Sequence, residues 1–382
     1  MKYAMLMSNT ASSLKKHHGL IASWVDPFMQ LRVTGLDISD LSMKYFAFNR
    51  VKKDKLAVRH YGEIRFSEGM IANGEIKDEK KLGEILGLWF QKEKKKIVSP
   101  FVSLSLPEEK SFIRAVQIPK VKHEDIANAI RWEIENQIPL PLNEVNYDYE
   151  VIDPVHDDQD HLDVIITAFP KEILNMYVRV IRAAGMTPYA IELESQSLVR
   201  ACAPSLCDTE AKIVLDVGRT RTSLVIYAAG AILYTSTIDA GGLVFEQHIM
   251  RQINVEQPEA QRIKIEVGLD KTIRRGEVFS ALAPVITIIS DELVRAISYY
   301  QSHSAHTHGA TQNIETILMS GGDANLRGLD TYLSSVLKIP VEKADPFAVI
   351  KDQMTSSIPP FTKKEALAYA IPIGLALRDI RL

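Results

Sequence analysis

Two stretches 179 residues apart share one pattern, "LDISDLSMKYFAF" at 36–48 and "LDVGRTRTSLVIY" at 215–227. In each, an apolar strand ends at an Asp, the chain turns within a few residues, and a second apolar strand follows. The offset is close to half of the 382 residues. A chain with this echo is expected to fold as an internally duplicated, hairpin-led α/β protein. Each turn taken alone has two readings. It is either only a hairpin, or a turn whose amides face a phosphate while its Asp holds a metal-bound water.

The segments around the echo support two mixed sheets. From Gly35 to Phe66 the alternation predicts an antiparallel meander. "DEKKLGEILGLWFQKEKKK" then predicts an amphipathic helix, with Leu82, Ile85, Leu86 and Trp89 on one face. "IVSPFVSLSLP" returns as a strand, a β-β-β-α-β order typical of a sheet covered by helices.

Residues 108–187 read differently, as an inserted β-α-β-β-α subdomain. Its first helix carries Ile126, Ile130 and Ile134 on one stripe and is stopped by Pro139 and Pro141. Phe112 joins these as expected core, while Trp132 falls off the stripe and is expected to face outward. The second helix should be closed by Gly185. In the second half, two helical regions precede a strand, a Gly-Gly turn and another helix over 314–337.

Composition narrows the function classes. Hydrophobic residues at 46%, charged residues at 24% and a net charge of -3 describe a globular protein without an electrostatic case for nucleic acid. Cys202 and Cys207 have the spacing of neither a redox pair nor a zinc knuckle, so a reducing compartment is expected. No apolar run reaches the ~20 residues that span a bilayer. The first thirty residues read as a tail or a packed amphipathic segment. His303, His306 and His308 in "HSAHTHG" read as a solvated loop rather than a metal site.

Three strand-end turns remain as site candidates: Asp37–Lys44, Asp216–Ser223 and Ser320–Ala324. With "VSLSLP", "RWEIENQIPLPLNEVNYDYEVI", "LDVGRTRTSLVIY" and "MSGGDANLRGLDTYLSSVL", the chain from about Leu31 onward resembles the actin-like ATPase superfamily. Within it, the resemblance is to the PilM family of the type IV pilus inner-membrane platform. That resemblance implies two RNase H-like lobes, with the FtsA-like insert at 108–187. The first lobe is expected at 35–107 and 188–207, after an extension at 1–34; the second at 208–242 and 312–382, with a subdomain at 243–311.

By resemblance, ATP and Mg would lie between the lobes. Asp37, Ser42 and Lys44 match one phosphate turn, and Asp216, Gly218 and Thr222 the other. Lys264 matches the residue that reaches the nucleoside, and Gly321 and Gly322 the adenosine turn. Asp37 and Asp216 would hold Mg through water. Three departures put nucleotide binding in doubt: Ser39 stands where the family has glycine, Asp40 adds a carboxylate, and Asp323 replaces another glycine. Arg219 and Arg221 are expected to be exposed hairpin arginines, with phosphate binding as their other role.

The implied function is a scaffold at the cytoplasmic face of the inner membrane, with weak or absent nucleotide turnover. Its implied partners are the N-terminal tail of PilN, other platform proteins and the assembly motor ATPases. An FtsA-like filament-forming ATPase and a cytoplasmic platform component of type II secretion are the alternatives. Against FtsA, "EALAYAIPIGLALRDIRL" reads as a packed terminal helix instead of a membrane-binding one.

Overall fold

The structure is a computed structural model that describes residues 32–378 and 380, apart from 53–54, 98, 153–160, 204–209, 304–310, 312 and 356–360. The N-terminal tail, Cys207, His306 and His308 therefore lie outside the described residues.

The first hairpin is β1 (Thr34–Ile38) and β2 (Ser42–Lys52), extended by β3 (Lys55–Arg65). A small turn, β4 (Ile71–Ala72) with β5 (Glu75–Ile76), leads into helix α1 (Glu79–Glu93). Asp78 caps α1 by accepting from the Lys81 amide at 2.9 Å. The helix buries Leu82, Leu86 and Trp89, and β6 (Phe101–Leu106) returns parallel to β1.

The chain then leaves the sheet. β7 (Phe112–Pro119), helix α2 (His123–Gln137), β8 (Val145–Val151) and β9 (His161–Pro170) build a separate antiparallel sheet in the order β7-β9-β8. Its core of Ile126, Ile130, Ile134, Val145 and Val164 is distinct from the main one. Trp132, off the isoleucine stripe, is 65% exposed. Helix α3 (Lys171–Ala183) follows and turns its apolar face the other way. It packs on α1, and Tyr177, Val180 and Ile181 join the main core. Gly185, at φ +81°, ends it, and the Met186 amide reaches back to the Ile181 carbonyl at 3.1 Å.

β10 (Thr187–Leu193) completes the first sheet, in the order β10-β6-β1-β2-β3. Helix α4 (Glu194–Cys202) carries the chain to the second lobe. There β11 (Ala211–Val217), β12 (Thr222–Ala228) and β13 (Ala231–Ile238) form the second meander. Ala229 and Gly230, at φ +49° and +82°, make the primed turn that suits a two-residue hairpin. Helices α5 (Gly242–Ile253), α6 (Gln257–Glu266) and α7 (Glu277–His303) precede β14 (Ile314–Ser320). Helix α8 (Leu329–Leu337) and β15 (Val341–Lys343) give the sheet order β13-β12-β11-β14-β15.

The duplication is visible in the register. Gly35 pairs with Phe46, Asp37 with Lys44 and Ile38 with Met43 in the first hairpin. Val214 pairs with Val225, Asp216 with Ser223 and Val217 with Thr222 in the second. Each pair maps onto its counterpart by the offset read from the sequence.

Two short elements, α9 (Lys363–Ala366) and α10 (Ala370–Leu377), end the chain. α10 leaves the second sheet and lies against β1 and α4 of the first lobe. A Cβ on Gly374 would sit 1.9 Å from the Ser197 carbonyl oxygen, so only glycine permits this helix crossing. Buried Glu192 accepts from Arg200 at 3.0 Å and also pairs with Arg378, fastening the same junction. The two lobes are thus joined through a tight helix pair, whose Glu194 and Ile371 line the cleft between the turns.

Candidate functional site

The two Asp-led turns face one another across a narrow cleft. Asp37, Asp40 and Lys44 line it from the first hairpin, and Gly218, Arg219 and Arg221 from the second. Glu109, Glu194 and Asp216 complete the wall. The turns have the same hydrogen-bond skeleton. The Ser39 amide donates to the Ser42 carbonyl at 2.8 Å, and the Gly218 amide to the Arg221 carbonyl at 2.9 Å. A Cβ on Gly218 would approach the Arg221 oxygen to 3.0 Å, so serine in the equivalent place is tight but compatible with the turn.

Four carboxylates gather at the turns: Asp37 and Glu108 are buried, and Asp216 and Glu194 are partly buried. Burial pushes Asp37 above the usual range, against the pull of Lys44 and of the Ser105 hydroxyl that donates to it at 3.2 Å. Burial, reinforced by the charge of Asp37, raises Asp216 to about 6. Glu194 is pushed well up by burial and by Asp37, Glu108 and Asp216. Glu108 is raised by burial as well; it accepts from the Ser195 amide at 3.1 Å, capping α4. Lys44 is the cation facing Asp37 and Asp216.

Such a set disfavours a bare anion and favours a cation. Among the described residues no three acidic, His or Cys side chains converge closely enough to hold a metal directly. An ion that retains much of its water, as Mg²⁺ does, is the kind these carboxylates suit. Bound, it would neutralise charge on a phosphate chain, with Asp37 and Asp216 orienting its waters.

The departures from the family pattern have partners. Asp40 is not a free negative charge: its Oδ1 accepts from the Gly74 amide at 3.0 Å, and its Oδ2 pairs with Arg221. Arg221 also pairs with Glu109. The expectation of an exposed hairpin arginine is corrected here, because the Arg221 side chain is only 16% exposed and is fixed between two carboxylates of the other lobe. Arg219 is paired too, to Glu246, which is 1% exposed.

Glu246 links this turn to Lys264. Burial pulls its carboxyl upward, but Arg219 and Lys264 outweigh that and hold it below its ordinary value. Lys264, expected either at the nucleoside or as a solvated helix charge, is buried at 4% exposure and donates to Glu246 at 2.8 Å. It also pairs with Asp323. Asp323 reaches so close to α5 that a Cβ on Gly242 would meet its carboxylate. Arg219, Glu246, Lys264 and Asp323 therefore form a continuous ion-pair chain.

The sequence-derived residues divide accordingly. Asp37, Lys44, Asp216 and Gly218 meet in the cleft. Ser42 and Thr222 are buried behind it, and the Thr222 hydroxyl donates to the Ala240 carbonyl at 2.6 Å. Gly321, at φ +91°, makes room for the end of β11, since a Cβ there would sit 2.3 Å from the Val217 oxygen. Gly322 has no such constraint, and a short 3-10 turn separates it from α8. Glu109, Glu194 and Glu246 were missed. Each acts at long range with no motif around it, and only Glu194, at the first position of a helix, carried a local hint.

Residues 35–380 match the family model described as type IV pilus assembly protein PilM. The chain belongs to the PilM family. Its fold resembles that of the PilM-PilN type IV pilus biogenesis complex, with a TM-score of 0.75 at 22% identity, over 92% of this chain and 99% of that one. It also resembles MreB5 of Spiroplasma citri bound to ADP, with a TM-score of 0.52 at 13% identity over 92% and 96% of the two chains. The cell shape-determining protein Mbl of Bacillus subtilis is 28% identical, over 35% of this chain and 47% of that protein. Mbl of Bacillus cereus is 23% identical, over 46% and 62%. The chain thus spans between about half and three fifths of these two relatives. The α/β actin-like fold with two mixed sheets agrees with what the sequence implied. Among the described residues no helix is long and apolar enough to cross a membrane.

Proposed function

We propose that this PilM-family chain is a scaffold of the type IV pilus inner-membrane platform, located at its cytoplasmic face. Its partner is the N-terminal tail of PilN, held in the groove between the first lobe and the insert, with further contacts to platform proteins and assembly motors. The observation that carries this is the structural match to PilM of the PilM-PilN complex over 99% of that chain. An extended tail binds such a groove through main-chain hydrogen bonds and side-chain pockets. Titration of a labelled peptide with the PilN N-terminal sequence should give saturable binding, and a scrambled peptide none. Absence of binding by the folded protein would overturn the proposal.

Nucleotide is at most a weak ligand, and turnover is slow or absent. The support is the ion-pair chain from Arg219 to Asp323, which occupies the polar groups that a nucleoside would use. Calorimetric titration with Mg-ATP should show affinity weaker than micromolar, and tighter binding would refute it.

A further inference from the structure

We propose that Arg221 is a built-in interlobe latch that holds this cleft closed without nucleotide. The guanidinium leaves the second phosphate turn and meets Asp40 of the first. It therefore spans the gap that a phosphate chain gripped by both turns would occupy. Its second partner, Glu109, follows β6 on the same first lobe. The planar, multi-donor guanidinium can present separate N–H groups to the two carboxylates.

The receiving side is preorganised. The β4–β5 turn donates the Gly74 amide to Asp40. Gly74 itself, at φ +69°, lies so close to Glu109 that a Cβ would sit 2.6 Å from its Oε1. The Tyr177 hydroxyl donates to the Gly74 carbonyl at 3.0 Å, tying this turn to α3. One glycine turn thus anchors Asp40 and lies against Glu109. The latch lies across the cleft between the turns, whereas the α4–α10 crossing supplies the joint between the lobes. With the packing of β13 on β7, these attachments at different places restrain the angle between the lobes.

This inference rests on the reading that nucleotide is not the ligand that closes the lobes. In a Cys207→Ser background, spin labels at Glu68→Cys and Lys271→Cys, both exposed positions, would report the spacing between lobes. The wild-type pair should give one narrow distance distribution, unchanged by millimolar Mg-ATP. Arg221→Gln should broaden it and shift it to longer distances. Asp40→Asn with Glu109→Gln should do the same from the other side, while the amide retains an acceptor for Gly74. Should Arg221→Gln fail to fold, this second variant decides. An unchanged distribution in the folded variants overturns the latch, as does a wild-type distribution that narrows only with Mg-ATP. Tight Mg-ATP binding by calorimetry, with the variants still opening, would instead overturn the weak-nucleotide reading and leave the latch standing.

Discussion

The two Asp-led turns are built on one backbone and furnished with opposite charges. In both, an Asp ends the strand and an amide bonds three residues ahead. The first turn then places a carboxylate, Asp40, where it anchors Gly74. The second places two arginines, of which Arg221 crosses to Asp40 and Arg219 holds Glu246. After duplication, the turns have become complementary to each other. The pair of turns grips itself through Arg221 and Asp40. Backbone symmetry therefore says where a site lies, and the side chains say whether it is open.

The largest effect expected from breaking this comparison is at Arg221. Arg221→Ala leaves Asp40 and Glu109 facing each other with no counter-charge, and should cost about 3–4 kcal/mol. Urea unfolding would show it as a lower midpoint. Next is Asp216→Asn. A carboxyl whose folded value is raised from 3.8 to about 6 favours the folded state below pH ~4 and loses that contribution as pH rises through about 6. The neutral amide escapes this loss, so the variant should be more stable than wild type at pH 7.5 by about 3 kcal/mol. The gap should vanish near pH 4, as thermal melts across that range would show. Asp37 and Glu194 shift in the same direction, so wild-type stability should itself fall over this interval.

A smaller effect belongs to Asp40→Ala, because Arg221 retains Glu109. The Gly74 amide loses its acceptor, for about 1.5 kcal/mol. The smallest is the exchange of the turn residues themselves. Ser39→Gly and Gly218→Ser should each change stability by less than about 1 kcal/mol, since the skeletal hydrogen bond is main-chain to main-chain in both turns. A large loss in either would mean that the turns are not equivalent. On the nucleoside side, Asp323→Gly frees Lys264 and the space beside Gly242. Joined with Arg221→Ser, it should raise Mg-ATP affinity at least tenfold, read by calorimetry.

How much was legible in advance differs between the fold and the site. The isoleucine stripe at 126, 130 and 134 has helical spacing and forms the insert's core, with Trp132 outside it. Asp37 and Asp216 were placed by the strand ends they terminate. Lys264 was found through resemblance alone, and its burial was not legible, because α6 is mostly polar and gives no face to read. Thr222, matched by resemblance to the second turn, is buried at the start of β12, where its hydroxyl donates to the Ala240 carbonyl.

The sequence by itself determined two hairpin-led sheets of one design, because strand pairing follows local alternation and turn spacing, which repeat at a fixed offset. Only the tertiary structure decided which charges meet. Arg221 and Asp40 are 181 residues apart, and Lys264 and Asp323 are 59 apart. Ion pairs between separate elements have no periodicity along a chain. The Arg221–Asp40 pair is set by how the two lobes are held face to face, and the Lys264–Asp323 pair by how α6 packs within the second lobe.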